Sequence, residues 1–339
     1  MSAARGRAAR PLRVSVALCT CDGARYLLEQ LESLASQSRR PDEIVVADDA
    51  SRDESPAIVR AWAARVAIPV RLEINAQRLG CTRNFEYAMS LCTGDVVFPC
   101  DQDDVWLPMK LETMTRPFEA DPRVLLVHSD AQVVDAGLNV IAESLFGLLR
   151  IGAEERAAED RGDALQVLTR RNIVTGASCA VRRELFERAR PFDPGFVHDD
   201  WLALHAALLG RLVRIDRPAI KYRQHGRNQI GAPRGGNAMR LRQVWEGRAR
   251  ARASDLHRLE GLARRLQQLA LDGTPAHAVV QAALSLAQRR TALPAQRLRR
   301  LPRVLWWLAN GDYFRNARGL RTAVGDLVEG RSRAVPNGG

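Results

Sequence analysis

The chain has almost no lysine. Of its 51 basic side chains only Lys110 and Lys221 are Lys, and the rest are Arg. An overall preference of that kind carries no functional message by itself. Six cysteines are present (Cys19, Cys21, Cys81, Cys92, Cys100, Cys179), but they form no C-x-x-C pair and have no His at zinc spacing. Structural zinc and dithiol redox chemistry are therefore disfavoured, and free buried thiols in a reducing cytoplasm are expected. No apolar run reaches the roughly 18 residues of a membrane-spanning helix. The run Val14 to Cys19 behind the basic N-terminus is too short for a signal sequence. No G-x-G-x-x-G or Walker A pattern follows any candidate strand, which argues against dinucleotide and P-loop chemistry. These absences suggest a cytoplasmic protein, free or held peripherally at the inner face of the membrane.

The 339 residues suggest about two domains. Hydrophobic residues make up 46% of the chain, enough for a real core. The net charge of +12 is confined to one end. Residues 237–339 carry 19 Arg against seven Asp and Glu, whereas residues 1–236 balance. Such asymmetry points to a polyanionic partner for the last hundred residues. Within them Leu298, Leu301, Leu305 and Leu308 fall at helical spacing, rimmed by Arg297, Arg299, Arg300 and Arg303, with Trp306 and Trp307 alongside. Basic rim, Leu and Trp together describe a helix lying in an anionic membrane interface. The plainer alternative is a helical extension packed on the preceding domain. Nucleic acid is the least favoured partner, since no recognised motif accompanies the charge. The expected organisation is a disordered basic N-terminus (1–12), an α/β domain (13–236) and a helical Arg-rich extension (237–339).

The first hundred residues alternate. Short β-branched runs, Val14–Cys19, Ile44–Ala47, Val70–Ile74 and Val96–Pro99, are separated by helical patterns over Ala24–Ser36, Glu54–Val66 and Asn84–Cys92. This rhythm predicts a parallel sheet covered on both faces. Each run ends in polar residues: Thr20-Cys21-Asp22-Gly23, Asp48-Asp49-Ala50-Ser51, Asn75, and Asp101-Gln102-Asp103-Asp104. Ligands of open α/β sheets bind outside the carboxyl ends of the strands, so these ends predict one polar pocket.

Asp101, Asp103 and Asp104 put three carboxylates within four positions. Like charges so close repel by about 4 kcal/mol per pair at 4 Å and an effective dielectric near 20. A bound divalent cation, Mg²⁺ or Mn²⁺, would stabilise such a cluster; an acidic turn capping the next helix is the bland alternative. Asp48 or Asp49 could cap a helix with Ser51, but a cap uses one such residue and leaves the other surplus. Further on, Val124–Val127 and Gln132–Val134 read as two strands around Ser129-Asp130, residues 152–163 as a charged loop or lid, and Thr175–Ser178 as a small-residue turn before strand Cys179–Val181. Glu184–Arg190 reads as a helix. Asp199 and Asp200 stand where a helix N-terminus suits acids, ahead of the apolar run Leu202–Leu209. Tyr222–Gly226 reads as a loop between strand-like residues 212–220 and the basic tail.

Taken in order, these pieces resemble the inverting glycosyltransferases of family 2, in the bacterial polysaccharide and O-antigen branch. The likeness covers roughly Val14 to Ile230. Val16–Thr20 with Asp22-Gly23 and Tyr26-Leu27 resembles the opening strand and turn. Ile44–Ser51 resembles the nucleotide-binding turn, and Asn75–Gly80 with Asn84-Phe85 the third segment. Asp101–Trp106 is similar to the D-x-D metal motif, Thr175-Gly176 to the acceptor-side loop, His198–Ala203 to the acidic base motif, and Tyr222–Gly226 to the closing loop. Cys21 departs from the aromatic residue many relatives carry in the opening turn.

The resemblance implies a GT-A fold, a mostly parallel Rossmann-like sheet flanked by helices. It implies transfer of a sugar from a nucleoside-diphosphate sugar to a hydroxyl of a glycan or lipid-linked acceptor, with inversion. Asp101, Asp103 and His225 would hold the divalent metal. Thr20, Asp48, Asp49, Asn75, Arg78, Asp101, Arg223 and His225 would contact the donor. Thr175, Gly176 and Trp201 would lie on the acceptor side. Asp199 is favoured as the base, with Asp200 in reserve. Two rivals stand beside this reading: a catalytically silent nucleotide-sugar or polyanion binder on the same fold, and a nucleotidyltransferase. The latter would want a Gly-rich basic loop after the first strand, which Thr20–Gly23 is not.

Overall fold

The computed structural model describes residues 10–225 and 255–328. The chain divides into two compact units, the first of residues 10–162 and 174–225, the second of residues 163–173 and 255–328. The expected boundary at 236/237 and nearly all of the expected disordered N-terminus lie outside the described residues. The sequence pattern did not foresee that residues 163–173 join the helical unit.

The first unit is built on a nine-stranded sheet of order β3-β2-β1-β4-β8-β6-β9-β5, with β7 beside β6. Strands β1 (Val14–Thr20), β2 (Glu43–Asp48), β3 (Val70–Ile74) and β4 (Val96–Cys100) are parallel, as the alternating pattern requires. Helices α1 (Ala24–Ala35), α2 (Ser55–Ala63) and α3 (Cys81–Leu91) connect them. Every residue of β1 and β4 is buried. That is why these strands read as continuous apolar runs and not as alternations. Helix α1 turns Leu27, Leu31 and Leu34 to the sheet, a stripe at i, i+4 and i+7.

The second half of the sheet is mixed. β4 meets β8 (Cys179–Arg182) antiparallel, β8 meets β6 (Val124–Val134) antiparallel, and β6 runs parallel to β9 (Arg211–Arg223). The short β5 (Val105–Trp106) closes the edge on β9, and β7 (Val140–Ala142) pairs with β6. Between them lie α4 (Lys110–Ala120), α5 (Leu145–Leu148), α6 (Ala153–Arg161), a 3₁₀ turn at Gly176–Ser178, α8 (Arg183–Ala189) and α9 (His198–Leu209). Three sequence expectations are corrected here. The two strands expected around Ser129-Asp130 are one, since a slip in the β6–β9 register at Ser129 and Asp130 is absorbed without breaking the strand. The charged stretch 152–163 is largely helical: Glu159 of α6 is buried between His128 and Arg214, at 2.7 Å from each. Tyr222 and Arg223 belong to β9 and not to a loop.

The second unit holds α7 (Ala164–Leu168), a helix over residues 255–268 (α10), α11 (Pro275–Thr291), α12 (Arg297–Ala309), α13 (Asp312–Asn316) and α14 (Leu320–Val328). Its core gathers Leu286, Val304, Trp307, Tyr313 and Ala323. Buried Asp326 is satisfied by Arg290 (2.8 Å) and the Tyr313 hydroxyl (2.7 Å). A buried charge needs such partners. No described helix is long and apolar enough to cross a membrane. All six cysteines are free thiols.

Candidate active site

The parallel register brings the strand ends to one edge. Thr20 pairs with Asp48, Asp48 with Ile74, and Leu18 with Cys100. The residues just beyond, Cys21, Asp49, Asn75 and Asp101, therefore lie together at that edge. Residue 199 reaches the same place from α9: the field of Asp199 acts on Asp101, and those of Asp49, Asp101 and Asp199 all act on the Cys81 thiol.

The paired acids after β2 have separate tasks. Asp48 is fully buried and accepts hydrogen bonds from the Thr20 hydroxyl (2.6 Å), Ser51 N–H (2.8 Å) and the Ser51 hydroxyl (2.6 Å). It is the turn-former. Asp49 accepts from Asn75 Nδ2 (3.0 Å), Leu79 N–H (2.6 Å) and Gly80 N–H (2.9 Å). It shapes the segment between β3 and α3. Asn75 also donates to Asn84 Oδ1 at 2.8 Å. Arg78 makes an exposed ion pair with Asp22.

At the end of β4 the acids again differ. Asp103 Oδ2 lies 2.6 Å from His225 Nε2, and His225 packs against the Tyr26 ring. Asp104 is buried; its Oδ1 accepts the Arg223 N–H at 2.9 Å, and its Oδ2 has no partner. Burial first, then the fields of Asp103 and Asp101, push the Asp104 carboxyl well above the ordinary range. Asp101 is pushed up by burial, then by Asp103 and Asp199. Carboxyls so disfavoured as anions, with one buried oxygen unpartnered, fit a site completed by a cation. Among the described residues no three His, Cys, Asp or Glu gather in metal-holding geometry. Asp103 and His225 are the donors in contact. Asp103 supplies the single carboxylate that suffices for a Mg²⁺-type ion whose shell is otherwise filled by phosphate oxygens and water.

On the opposite side Asp199 Oδ2 accepts the Gly176 N–H at 2.8 Å, and Oδ1 accepts the Asp200 N–H at 2.6 Å. Both acids are more than nine-tenths buried. His198 stacks on Phe85 at 3.9 Å, and neither ring nitrogen has a partner. Burial lowers its pKa to about 3, so the ring is neutral. A Cβ on Gly176 would lie 2.4 Å from His198 Nε2, which is why the turn needs glycine. Thr175 is half-buried and accepts the Ser178 N–H at 3.0 Å through its carbonyl.

Two expected side chains are used inside the protein. Arg223 is buried, with Nε on the Asp103 carbonyl (2.6 Å), Nη1 on the Ala136 carbonyl (2.7 Å), Nη2 paired with Glu29, and the guanidinium over Tyr26. Trp201 is buried, with Nε1 donating to the Ala189 carbonyl at 2.8 Å. Two residues went unnoticed in the sequence. Gln102 clamps the first turn, accepting from Cys21 N–H (2.8 Å) and donating to the Cys21 carbonyl (3.1 Å). Lys110 is buried beneath the acids, and burial lowers its pKa to about 8.

The sequence pattern of the family described as Glycosyl transferase family 2 matches residues 15–189, just over half of the chain. Asp199 and His225 lie beyond that match. An uncharacterized glycosyltransferase of Nostoc sp. is 26% identical over 221 residues, 64% of this chain and 66% of its own length. An uncharacterized glycosyltransferase of Bacillus subtilis, YwdF, is 32% identical over 124 residues, 36% of this chain and 43% of its own. The chain thus spans less than two thirds of the length of these relatives. Among solved structures, S. aureus TarS 1-349 in complex with UDP-GlcNAc superposes with a TM-score of 0.52 at 17% identity, covering 90% of this chain and 89% of that one. That likeness concerns the fold, a mixed α/β GT-A architecture.

Proposed function

From its membership of glycosyl transferase family 2, we propose that this chain moves a sugar from a nucleoside-diphosphate sugar to a hydroxyl of a glycan or lipid-linked acceptor, with inversion. One observation carries the reading. The acids at the end of β4 and those opening α9 are 95 or more residues apart in sequence, yet Asp101 and Asp199 lie within electrostatic reach at one sheet edge. An in-line displacement needs that arrangement, with charge compensation on the leaving side and a base on the attacking side.

In this reading Asp103 and His225 hold the metal, with Asp101 beside them. A divalent cation held there would supply charge compensation for the leaving group. The turn built by Asp48 and Thr20 and the segment held by Asp49 and Asn75 form the nucleoside side. Exposed Arg78, now paired with Asp22, would meet the donor. Arg223 fixes the Asp103 backbone and the approach of His225. Asp199, oriented by Gly176, takes the proton from the acceptor hydroxyl as the oxygen attacks the anomeric carbon. Thr175 and the Gly176 turn face the acceptor; Trp201 supports α9 from the core. Binding of a panel of nucleoside-diphosphate sugars, with and without Mn²⁺, tests the donor assignment. Metal-independent binding, or none, would sink it, and release of pyrophosphate would favour a nucleotidyltransferase.

A second observation concerns the partner of the helical unit. Helix α12 has two apolar faces. Val304 and Trp307 point into the unit's core, whereas Leu298 (85% exposed), Leu301, Leu305 and Trp306 (67%) face outward beside exposed Arg297, Arg299 and Arg303. Phe314, Leu320 and Val324 of α13 and α14 are exposed as well. A second copy would set arginine against arginine. An anionic bilayer satisfies both features: basic side chains near it gain about 1 kcal/mol each. We assign this face to the inner surface of the cytoplasmic membrane, with the first unit as the catalytic domain and the helical unit as its anchor.

A further inference from the structure

Lys110 is the first residue of α4 and is 1% exposed. Its place is unfavourable on two counts. A buried ammonium is costly. The start of a helix is the positive end of the macrodipole. Its contacts show what holds it there. Nζ donates to the Ala177 carbonyl at 2.5 Å and lies 3.8 Å from the centroid of the Trp106 ring. The carboxyls of Asp104 and Asp101 act on the same ammonium. Ala177 is the middle residue of the 3₁₀ turn whose first residue, Gly176, donates its N–H to Asp199 Oδ2 at 2.8 Å. The ammonium is therefore one residue away from the hydrogen bond that orients Asp199, while its charge faces the acids at the end of β4.

We propose that Lys110 is a positioning residue for Asp199: by anchoring the Ala177 carbonyl it keeps the Gly176 N–H on Asp199 Oδ2. The inference rests on the reading of Asp199 as the base. Asp199 has one oxygen fixed by Gly176 and the other by Asp200 N–H. The directions left for an acceptor hydroxyl therefore depend on where the turn stands. A turn released from Lys110 lets the carboxylate rotate, and a misplacement of about 1 Å at such a group costs up to about 10²-fold in rate. The nucleoside side of the site, built by Asp48, Asp49 and Asn75, has no bond to Lys110 and keeps its shape.

The test uses the full-length protein with Lys110→Gln, Lys110→Met and Lys110→Arg, alone and combined with Asp199→Asn. Affinity for a nucleoside diphosphate with Mn²⁺ and the turnover number are measured separately. Gln keeps a donor and loses the charge; Met loses both; Arg keeps both. The expected result is donor affinity within about threefold of wild type, turnover lowered about 30-fold or more in Lys110→Gln and further in Lys110→Met, and partial rescue in Lys110→Arg. In the double variants the two losses should not multiply, because Lys110 acts through Asp199. Wild-type turnover in Lys110→Met, or losses that multiply with Asp199→Asn, overturns the proposal. So does a fall of donor affinity and turnover together with thermal stability. If Lys110→Met does not fold, the cycle with Lys110→Arg decides by the same criterion. Wild-type turnover in Asp199→Asn alone would sink the base assignment instead, whatever Lys110 does.

Discussion

Asp103 and His225 meet side chain to side chain, Oδ2 to Nε2 at 2.6 Å, across 122 residues of sequence. This contact joins the end of β4 to the residues that follow β9. It makes the pair the expected metal donors. Asp103→Ala should abolish the Mn²⁺-dependent part of nucleoside-diphosphate binding, and His225→Ala should weaken it by about tenfold or more, at least the cost of losing a group that orients a metal ligand. Calorimetric titration with and without Mn²⁺ checks this; metal-dependent affinity unchanged in Asp103→Ala removes the assignment.

Asp199→Asn should leave donor binding near normal and lower turnover by about 10²-fold or more, the contribution of a positioned base. Asp200→Asn is the control within the pair. If only Asp200→Asn shows the loss, the base is Asp200.

Gly176→Ala should be costly far beyond one methyl. The new Cβ would lie 2.4 Å from His198 Nε2 and 3.5 Å from Asp199 Oδ2 in a buried turn. Overpacking of that kind costs about 1–3 kcal/mol. Denaturant unfolding should show a lower midpoint at unchanged slope, and turnover should fall with it. A variant as stable as wild type would mean that the turn is looser than described.

His198 gives a pH prediction with a definite sign. Burial lowers its folded pKa to about 3 from an unfolded value near 6.5. Between those values the unfolded chain binds the extra proton, so this residue's contribution is complete above pH ~6.5 and is lost as pH falls toward 3, at up to about 1.4 kcal/mol per pH unit. Asp101 and Asp104, with raised pKa values, oppose it in part of that window. The informative quantity is therefore the difference between wild type and His198→Asn. Stability against pH should be less steep on the acid side in the variant; identical slopes would contradict a neutral buried imidazole.

Leu305→Asp with Trp306→Asp tests the outward face of α12. Wild type should sediment with vesicles containing anionic lipid and be released by salt, since the Debye length falls from about 8 Å at 0.15 M to about 3 Å at 1 M. The double variant changes only exposed side chains. It should stay in the supernatant with its unfolding temperature and donor affinity unaltered. Wild type that ignores lipid charge removes the membrane partner and leaves the transferase proposal untouched.

Much of this protein is written in local patterns. The β-branched runs specified β1 to β4 because strands buried on both faces must be continuously apolar. The polar residues ending them marked the candidate site, because parallel strands present their carboxyl ends on one edge. The acids of Asp101–Asp104 stood out because unpaired like charges are expensive to keep together. Which acid does what was not legible. Asp48 and Asp49 are neighbours in sequence, yet one is consumed by its own turn and the other by the backbone of residues 79 and 80. Arg223 looked like a ligand for phosphate until β9 carried it into the core beside Asp103 and Glu29. The two faces of α12 read as one amphipathic pattern, and only packing separates Trp307 from Trp306. A residue's type and its near neighbours determine what it can do. Which of its hydrogen bonds are already taken depends on groups a hundred residues away, and the tertiary structure alone brings those into reach.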